Sequence, residues 1–188
     1  FIRRLLGLNG SSSSEQYVEV ILLSRNDSDT GLRVWKSIES HQLGITRGAF
    51  LRGDAPWPYA PAFNASLFLS GNERDVREAV LAGIPAGVVL ASKYEDDVTD
   101  NQLRVAFDFD GVLVDDEAEI VHHTSGLDSF HASEKANVLR AHNPGLLKEL
   151  LVKISKLQER ERAKQDADPG YRPLVKTAII TARNAPSH

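Results

Sequence analysis

Cysteine and methionine are both absent from the 188 residues. Without cysteine, disulfides and thiolate metal sites are excluded. The missing methionine is a different kind of signal, because ordinary usage gives roughly four in a chain of this length. The chain also opens on Phe1, so both ends are read as artificial, with the sequence either a fragment or lacking residues. No apolar run nears the ~20 residues that a membrane span needs, and no secretory signal is visible. Positive charge is not in excess: 22 Lys and Arg against 26 Asp and Glu give a net charge of -4, without the basic patch that nucleic-acid binding requires. With 41% hydrophobic and 26% charged residues, the composition is that of a globular protein of one domain or two small ones. The expectation is a cytoplasmic protein with neither nucleic acid nor membrane among its partners.

Along the chain, strand and helix patterns alternate. Phe1 to Leu8 reads as the end of a helix and Asn9 to Ser14 as a flexible Gly/Ser loop, so 1–17 are a helix end and loop before the first α/β region. Val18 to Leu23 is a β-branched and Leu run suited to a strand buried on both faces. Leu32, Trp35, Ile38 and Leu43 follow at helical spacing, with Asp29 or Thr30 as the cap. Strands are expected at Ile45 to Leu51, Ser66 to Leu69 and Ala86 to Ala91, with a Pro-rich loop at Asp54 to Pro61. Asn72 caps a helix from Glu73 to Ala82 whose inner face is Val76, Val80 and Leu81, and Gly83 stands at its C-terminal end. The acidic stretch Glu95 to Asn101 closes this region, 18–100. From 101 onward come a strand at Leu103 to Phe107, a variable segment to His142, a long helix with Leu146, Leu147, Leu150, Leu151, Ile154 and Leu157 on one face, and a strand at Thr177 to Ile180. That alternation predicts an α/β fold, a Rossmann-like parallel sheet with helices on both faces.

The chemistry concentrates in Val105-Ala-Phe-Asp108-Phe-Asp110-Gly111-Val-Leu113. An apolar strand here ends in two carboxylates one residue apart. Ligands of open parallel sheets bind at the carboxyl ends of strands, and side chains at i and i+2 share a face while the strand persists. Gly111 permits a sharp turn after them. Two such carboxylates repel, which a divalent cation relieves, and Mg²⁺ suits oxygen ligands that also face a phosphate. One carboxylate can attack phosphorus, and the other can protonate a leaving oxygen. The plainer reading is that Asp-Gly merely turns the chain after a strand. The buried strand before the pair and Gly-Val-Leu after it favour chemistry.

Phe107-Asp-Phe-Asp-Gly-Val112 resembles motif I of the haloacid dehalogenase (HAD) superfamily, and Thr177-Ala-Ile-Ile-Thr181-Ala-Arg-Asn184 resembles its motif II. The resemblance implies that Asp108 is the nucleophile and Asp110 the acid/base. It also implies that Asp108, through its carboxylate, and Asp110, through its main-chain carbonyl, hold Mg²⁺, and that Thr181, Ala182 and Arg183 meet the phosphoryl group. A small helical cap, about 115–172, would separate the two motifs. Further segments narrow the likeness: Val20-Ile-Leu-Leu-Ser24-Arg25-Asn26-Asp27, Leu43-Gly-Ile-Thr-Arg47 and Leu67-Phe-Leu-Ser70 occur, with motifs I and II, in this order in the cytosolic 5'-nucleotidase type I family. That resemblance implies Mg²⁺-dependent hydrolysis of nucleoside 5'-monophosphates, AMP or deoxyribonucleoside monophosphates, with Ser24, Arg25, Asn26 and Asp27 as substrate contacts. Animal members carry Asp-Gly-Asp-Ala where this chain has Asp-Phe-Asp-Gly, which keeps both carboxylates.

The superfamily also uses a motif III Lys and motif IV acidic residues C-terminal to motif II, so 101–188 is expected to be a catalytic region cut short before them. A chain ending there would lack activity or need complementation. Alternatives are therefore a phosphatase of another small phosphate ester, or a nucleotide-binding protein without activity. Ile21 to Asn26 and Ile179 to Asn184 both run from an apolar strand through a hydroxyl residue to Arg-Asn, which is either a coincidence of two strand-to-helix turns or the sign that 18–91 are a degenerate copy of the second half of the same core. Ser24 to Asp27 are equally well explained as the cap of the next helix. Asp115, Asp116, Glu117 and Glu119 read as complements to a helix N-terminus, while the adjacent His122 and His123 do not share a helical face. Trp35 reads as core and Trp57 as exposed enough to stack on a base. The long helix either packs the cap or supports a contact between copies in a homo-oligomer.

Overall fold

The computed structural model describes residues 1–10, 16–93, 95–115 and 135–181, with 120, 124, 126, 129, 130, 132 and 133. The chain divides into two compact units, Phe1–Leu103 and Arg104–His188.

The first unit is built from two parallel strand–helix–strand crossovers. β1 (Ile21–Ser24) pairs with β2 (Arg47–Phe50) through α2 (Ser28–Ser40), and β3 (Phe68–Ser70) pairs with β4 (Ala86–Val88) through α3 (Glu73–Leu81). The two are closed by the same bonds. Ser24 Oγ accepts from the Asn26 N–H at 3.1 Å and Ser70 Oγ from the Asn72 N–H at 3.1 Å. The Ser24 carbonyl accepts from Leu51 N–H and the Ser70 carbonyl from Val89 N–H, each at 2.9 Å. Both helices end in a left-handed residue, Gln42 at φ 52° and Gly83 at φ 77°. After it, Leu43 N–H donates to Ile38 O and Ile84 N–H to Ala79 O, the closure of a Schellman-type end. This likeness within 21–89 goes further than the sequence echo of Ile21 to Asn26 with Ile179 to Asn184, part of which falls on 182–184, outside the described residues.

Packing explains the local choices. Gly31 of α2 is needed because a Cβ there would lie 2.7 Å from the Phe50 ring, so the helix rests directly on β2. Trp35 meets Phe50 edge-on at 6.4 Å, in keeping with its reading as core. Ala60, Phe68 and Ala79 form a buried cluster, against which Leu23, Trp57, Ile84 and Ala86 pack. Trp57 is therefore a packing residue: its ring joins that cluster and its Nε1–H donates to Glu78 at 3.3 Å. Three sequence expectations change. The cap of α2 is Asp27, not Asp29 or Thr30; Leu32 is exposed; and the inner face of α3 is Asp75, Val76 and Ala79, leaving Val80 and Leu81 outside. β1 also starts three residues late. Val18 gives both its N–H and its carbonyl to the Asn9 side chain, which removes it from the ladder. α1 (Ile2–Gly7) is tied to the end of the unit by Arg4, which donates to the carbonyls of Asp97 and Asp100 and pairs with Asp96 at 2.7 Å.

In the second unit β5 (Leu103–Asp108) lies beside β6 (Val175–Ile180), and α4 (Lys148–Ala167) packs on β6. β5 buries Leu103 and Phe107, whereas Arg104, Ala106, Ile179 and Ile180 are exposed. β5 is thus only half-buried, and so is β1, which was expected to be buried on both faces, because the described residues form two-stranded sheets and not one continuous sheet. No helix among the described residues is long and apolar enough to cross a membrane.

One buried carboxylate fixes the path from α4 into β6. Glu161, 6% exposed, accepts from Tyr171 O–H at 3.0 Å, Leu174 N–H at 2.7 Å and Lys164 Nζ at 3.2 Å. Burial, with Glu161 beside it, raises the Tyr171 hydroxyl pKa and keeps this hydroxyl a donor. Glu161→Ala would strand the Leu174 N–H and the tyrosine hydroxyl. The expected loss is about 2–4 kcal/mol of unfolding free energy, read by urea denaturation of the purified chain; a change below about 0.5 kcal/mol, the range of neutral surface substitutions, would contradict that role.

Candidate active site

The two carboxylates singled out by the sequence stand on one turn. Asp108 ends β5 in extended backbone (φ −69°, ψ 152°), and its Oδ1 accepts from the Phe109 N–H at 2.7 Å. The turn Phe109–Leu113 follows, with Asp110 still extended (φ −74°, ψ 134°) and Gly111 left-handed at φ 70°, ψ 0°. Glycine is required there, since a side chain in that conformation is strained. Asp108 is exposed and Asp110 half-buried. Val114 N–H donates to Phe109 O at 3.1 Å and closes the turn. Thr181 comes directly after β6, the neighbour of β5; Ala182 and Arg183 lie outside the described residues. So do Asp116, Glu117, Glu119, His122 and His123.

Sequence reasoning passed over what holds the turn from behind. Residues 111–115 lie against 143–147. Gly145 N–H donates to Leu113 O at 2.9 Å and Leu147 N–H to Val112 O at 3.1 Å. Asp115 N–H donates to Asn143 O at 3.1 Å, Asn143 Nδ2–H to Asp115 Oδ2 at 2.7 Å, and Val114 bridges Pro144. These bonds also explain why α4 begins at Lys148 rather than Leu146: the residues before it are spent on the clamp. His142 adds an edge contact to the Phe109 ring at 5.7 Å. The available signal was Asn143-Pro-Gly145, which reads as a plain turn until its partner is known.

Ser24 to Asp27 belong to the other unit. There a cavity of about 520 Å³ is lined by Arg25, Asn26, Asp27, Ser28, Asp29, Thr30 and Arg52. Arg25 is held rather than loose. Its Nε and Nη2 donate to the two carboxylate oxygens of Asp75, which is 1% exposed, and Nη1 donates to Gly53 O at 2.6 Å. The Asp75 carboxylate raises the pKa of this guanidinium further. Three of its five N–H groups are engaged in this way. Asp27 accepts from the Thr30 N–H at 2.8 Å, so capping occupies one of its oxygens. Among the described residues no group of three or more His, Asp or Glu is placed to hold a metal.

The 5'-nucleotidase family model matches residues 1–188, and the chain belongs to that family. It is 30% identical over 171 residues to the human (Homo sapiens) protein named cytosolic 5'-nucleotidase 1B, an alignment that covers 90% of this chain and 27% of that protein. The chain thus spans about a quarter of the length of that relative. No solved structure matches it significantly.

The Thr30 N–H, and after it the Thr30 side chain, lower the Asp27 pKa below the usual 3.8. A depressed carboxylate stabilises the fold fully above its unfolded value and loses that contribution as pH falls through the folded one. Protection of the Thr30 and Gly31 amides should therefore weaken below pH 3.8 in the wild type. Asp27→Asn, an equally good cap, should show no such dependence. Amide exchange across that interval checks this, and the same pH dependence in both proteins would refute it.

Proposed function

We propose that this chain carries the phosphoryl-transfer turn of a nucleoside 5'-monophosphate phosphohydrolase with an HAD-like α/β core. AMP and deoxyribonucleoside monophosphates are the favoured substrates. The observation that supports it most is the strand-end turn bearing Asp108 and Asp110 beside the strand that leads to Thr181, in a chain of the 5'-nucleotidase family.

Asp108, exposed at the strand end, attacks phosphorus in line with the leaving 5'-oxygen, forming an Asp108 O–P bond as the P–O5' bond breaks. Asp110 gives its proton to the leaving oxygen, so that the nucleoside departs neutral. It then takes a proton from water, whose oxygen attacks phosphorus and releases phosphate with the Asp108 carboxylate restored. The Thr181 hydroxyl donates to a phosphoryl oxygen. The cation that suits this turn is Mg²⁺: an Asp108 carboxylate oxygen and the Asp110 carbonyl would hold it, a sparse all-oxygen set fitting an ion that keeps several waters. When bound, it neutralises charge on the phosphoryl oxygens. In the first unit, Ser24, Arg25, Asn26 and Asp27 are the proposed substrate-binding residues, with two N–H groups of Arg25 left beyond those given to Asp75 and Gly53. The clamp by Asp75 orients the guanidinium in advance.

A binding protein without turnover is the second reading, favoured by the cavity at Arg25. Phosphate release from a panel of nucleoside monophosphates, with and without Mg²⁺, decides between them. Hydrolysis should depend on the cation and fall on the order of a thousandfold in Asp108→Asn, about 4 kcal/mol of lost transition-state stabilisation. Undiminished turnover in that variant would overturn the covalent route.

A further inference from the structure

We propose that Asp115 and Asn143 are positioning residues that set the conformation of the acidic turn through a donor–acceptor pair 28 positions apart in sequence. The catalytic consequence rests on the hydrolase reading above; the structural one does not. The Asp115 main chain binds on both sides, its N–H to Asn143 O at 3.1 Å and its carbonyl accepting from Gly111 N–H at 3.4 Å. Gly111 is the left-handed residue directly after Asp110, so whatever fixes Asp115 fixes the bend at which Asp110 is presented.

The side chains make the pairing directional. Asp115 Oδ2 accepts from Asn143 Nδ2–H at 2.7 Å, while Asp115 Oδ1 is buried with no hydrogen-bond partner among the described residues. No described group donates to Oδ1, so the side chain is held through Oδ2 alone. In Asp115→Asn the exposed Asn143 amide can turn over and accept from the new NH₂, so one N–H···O bond survives and this variant is the mild one. In Asn143→Asp two carboxylates meet and repel. The exchanged pair, Asp115→Asn with Asn143→Asp, restores one N–H···O bond and keeps an oxygen in the buried position. There is no slack in which the backbone could absorb the loss: a Cβ at Gly145 would lie 2.5 Å from the carbonyl oxygens of both Val112 and Val114.

The test compares wild type, each single variant and the exchanged pair for mononucleotide turnover, and for amide exchange at Gly111, Gly145 and Leu147. Asn143→Asp should lower kcat about tenfold or more with KM within about twofold, a split expected when geometry and not binding is lost. The exchanged pair should recover most of it. Unchanged kcat in Asn143→Asp, or no recovery in the exchanged pair, would overturn the proposal. Should the wild type itself show no turnover, the hydrolase reading falls and amide exchange alone decides. Faster exchange in Asn143→Asp that slows again in the exchanged pair supports the pair, and equal exchange in all proteins refutes it. If Asn143→Asp does not fold, Asn143→Ala, which removes the donor without adding charge, is read in the same way.

Discussion

The carbonyls of Val112 and Leu113 must find donors where the chain turns back from β5, and the N–H groups of Leu147 and Gly145 supply them. This short ladder is the constraint on which the second unit depends. It holds the turn that bears Asp108 and Asp110, delays the start of α4 to Lys148, and admits only glycine at 145 because two carbonyl oxygens occupy the space of a Cβ. Buried main-chain polar groups are nearly always paired, so the clamp is local accounting before it is anything functional. Its consequence is that a pair of carboxylates projects from a backbone with little freedom to relax.

The first unit uses a different device to the same end. Two crossovers built on the same Ser–x–Asn bonds are tied by a buried carboxylate, Asp75, which grips Arg25 at the end of β1, and by Leu23 packed against Phe68 and Ala79. Taking a carboxylate out of water is costly unless it is paired and hydrogen-bonded. Arg25 meets that need while keeping part of its guanidinium at the cavity. Each unit thus presents polar groups at the carboxyl end of a short strand, the position at which open α/β sheets bind ligands.

Much of this was legible in the chain. Asn72 as a cap, Gly83 past the helix end, the strand into Asp108 and the helix rich in Leu all follow from periodicity and punctuation, because those signals are local. What could not be read was non-local. Nothing in Val18 announces that Asn9 will take both its polar groups, and nothing in Trp57 says that Phe68 and Ala79 will cover its ring. Asp75 lies outside the inner face expected for that helix and is among the most buried residues in the unit, since only the fold brings Arg25 to it. The clamp on the acidic turn was hidden likewise: Asp115 and Asn143 lie 28 positions apart, and no periodic signal links them.

Turnover by this route requires the Asp108 carboxylate to become bonded to phosphorus. The direct measurement is to mix the chain with Mg²⁺ and a mononucleotide labelled in its phosphate, quench in acid, and map the label by peptide mass. A hydroxylamine-labile label on the peptide containing Asp108, and its loss on chase with unlabelled substrate, is the predicted result. Phosphate release with no label on that peptide at any time would contradict the account.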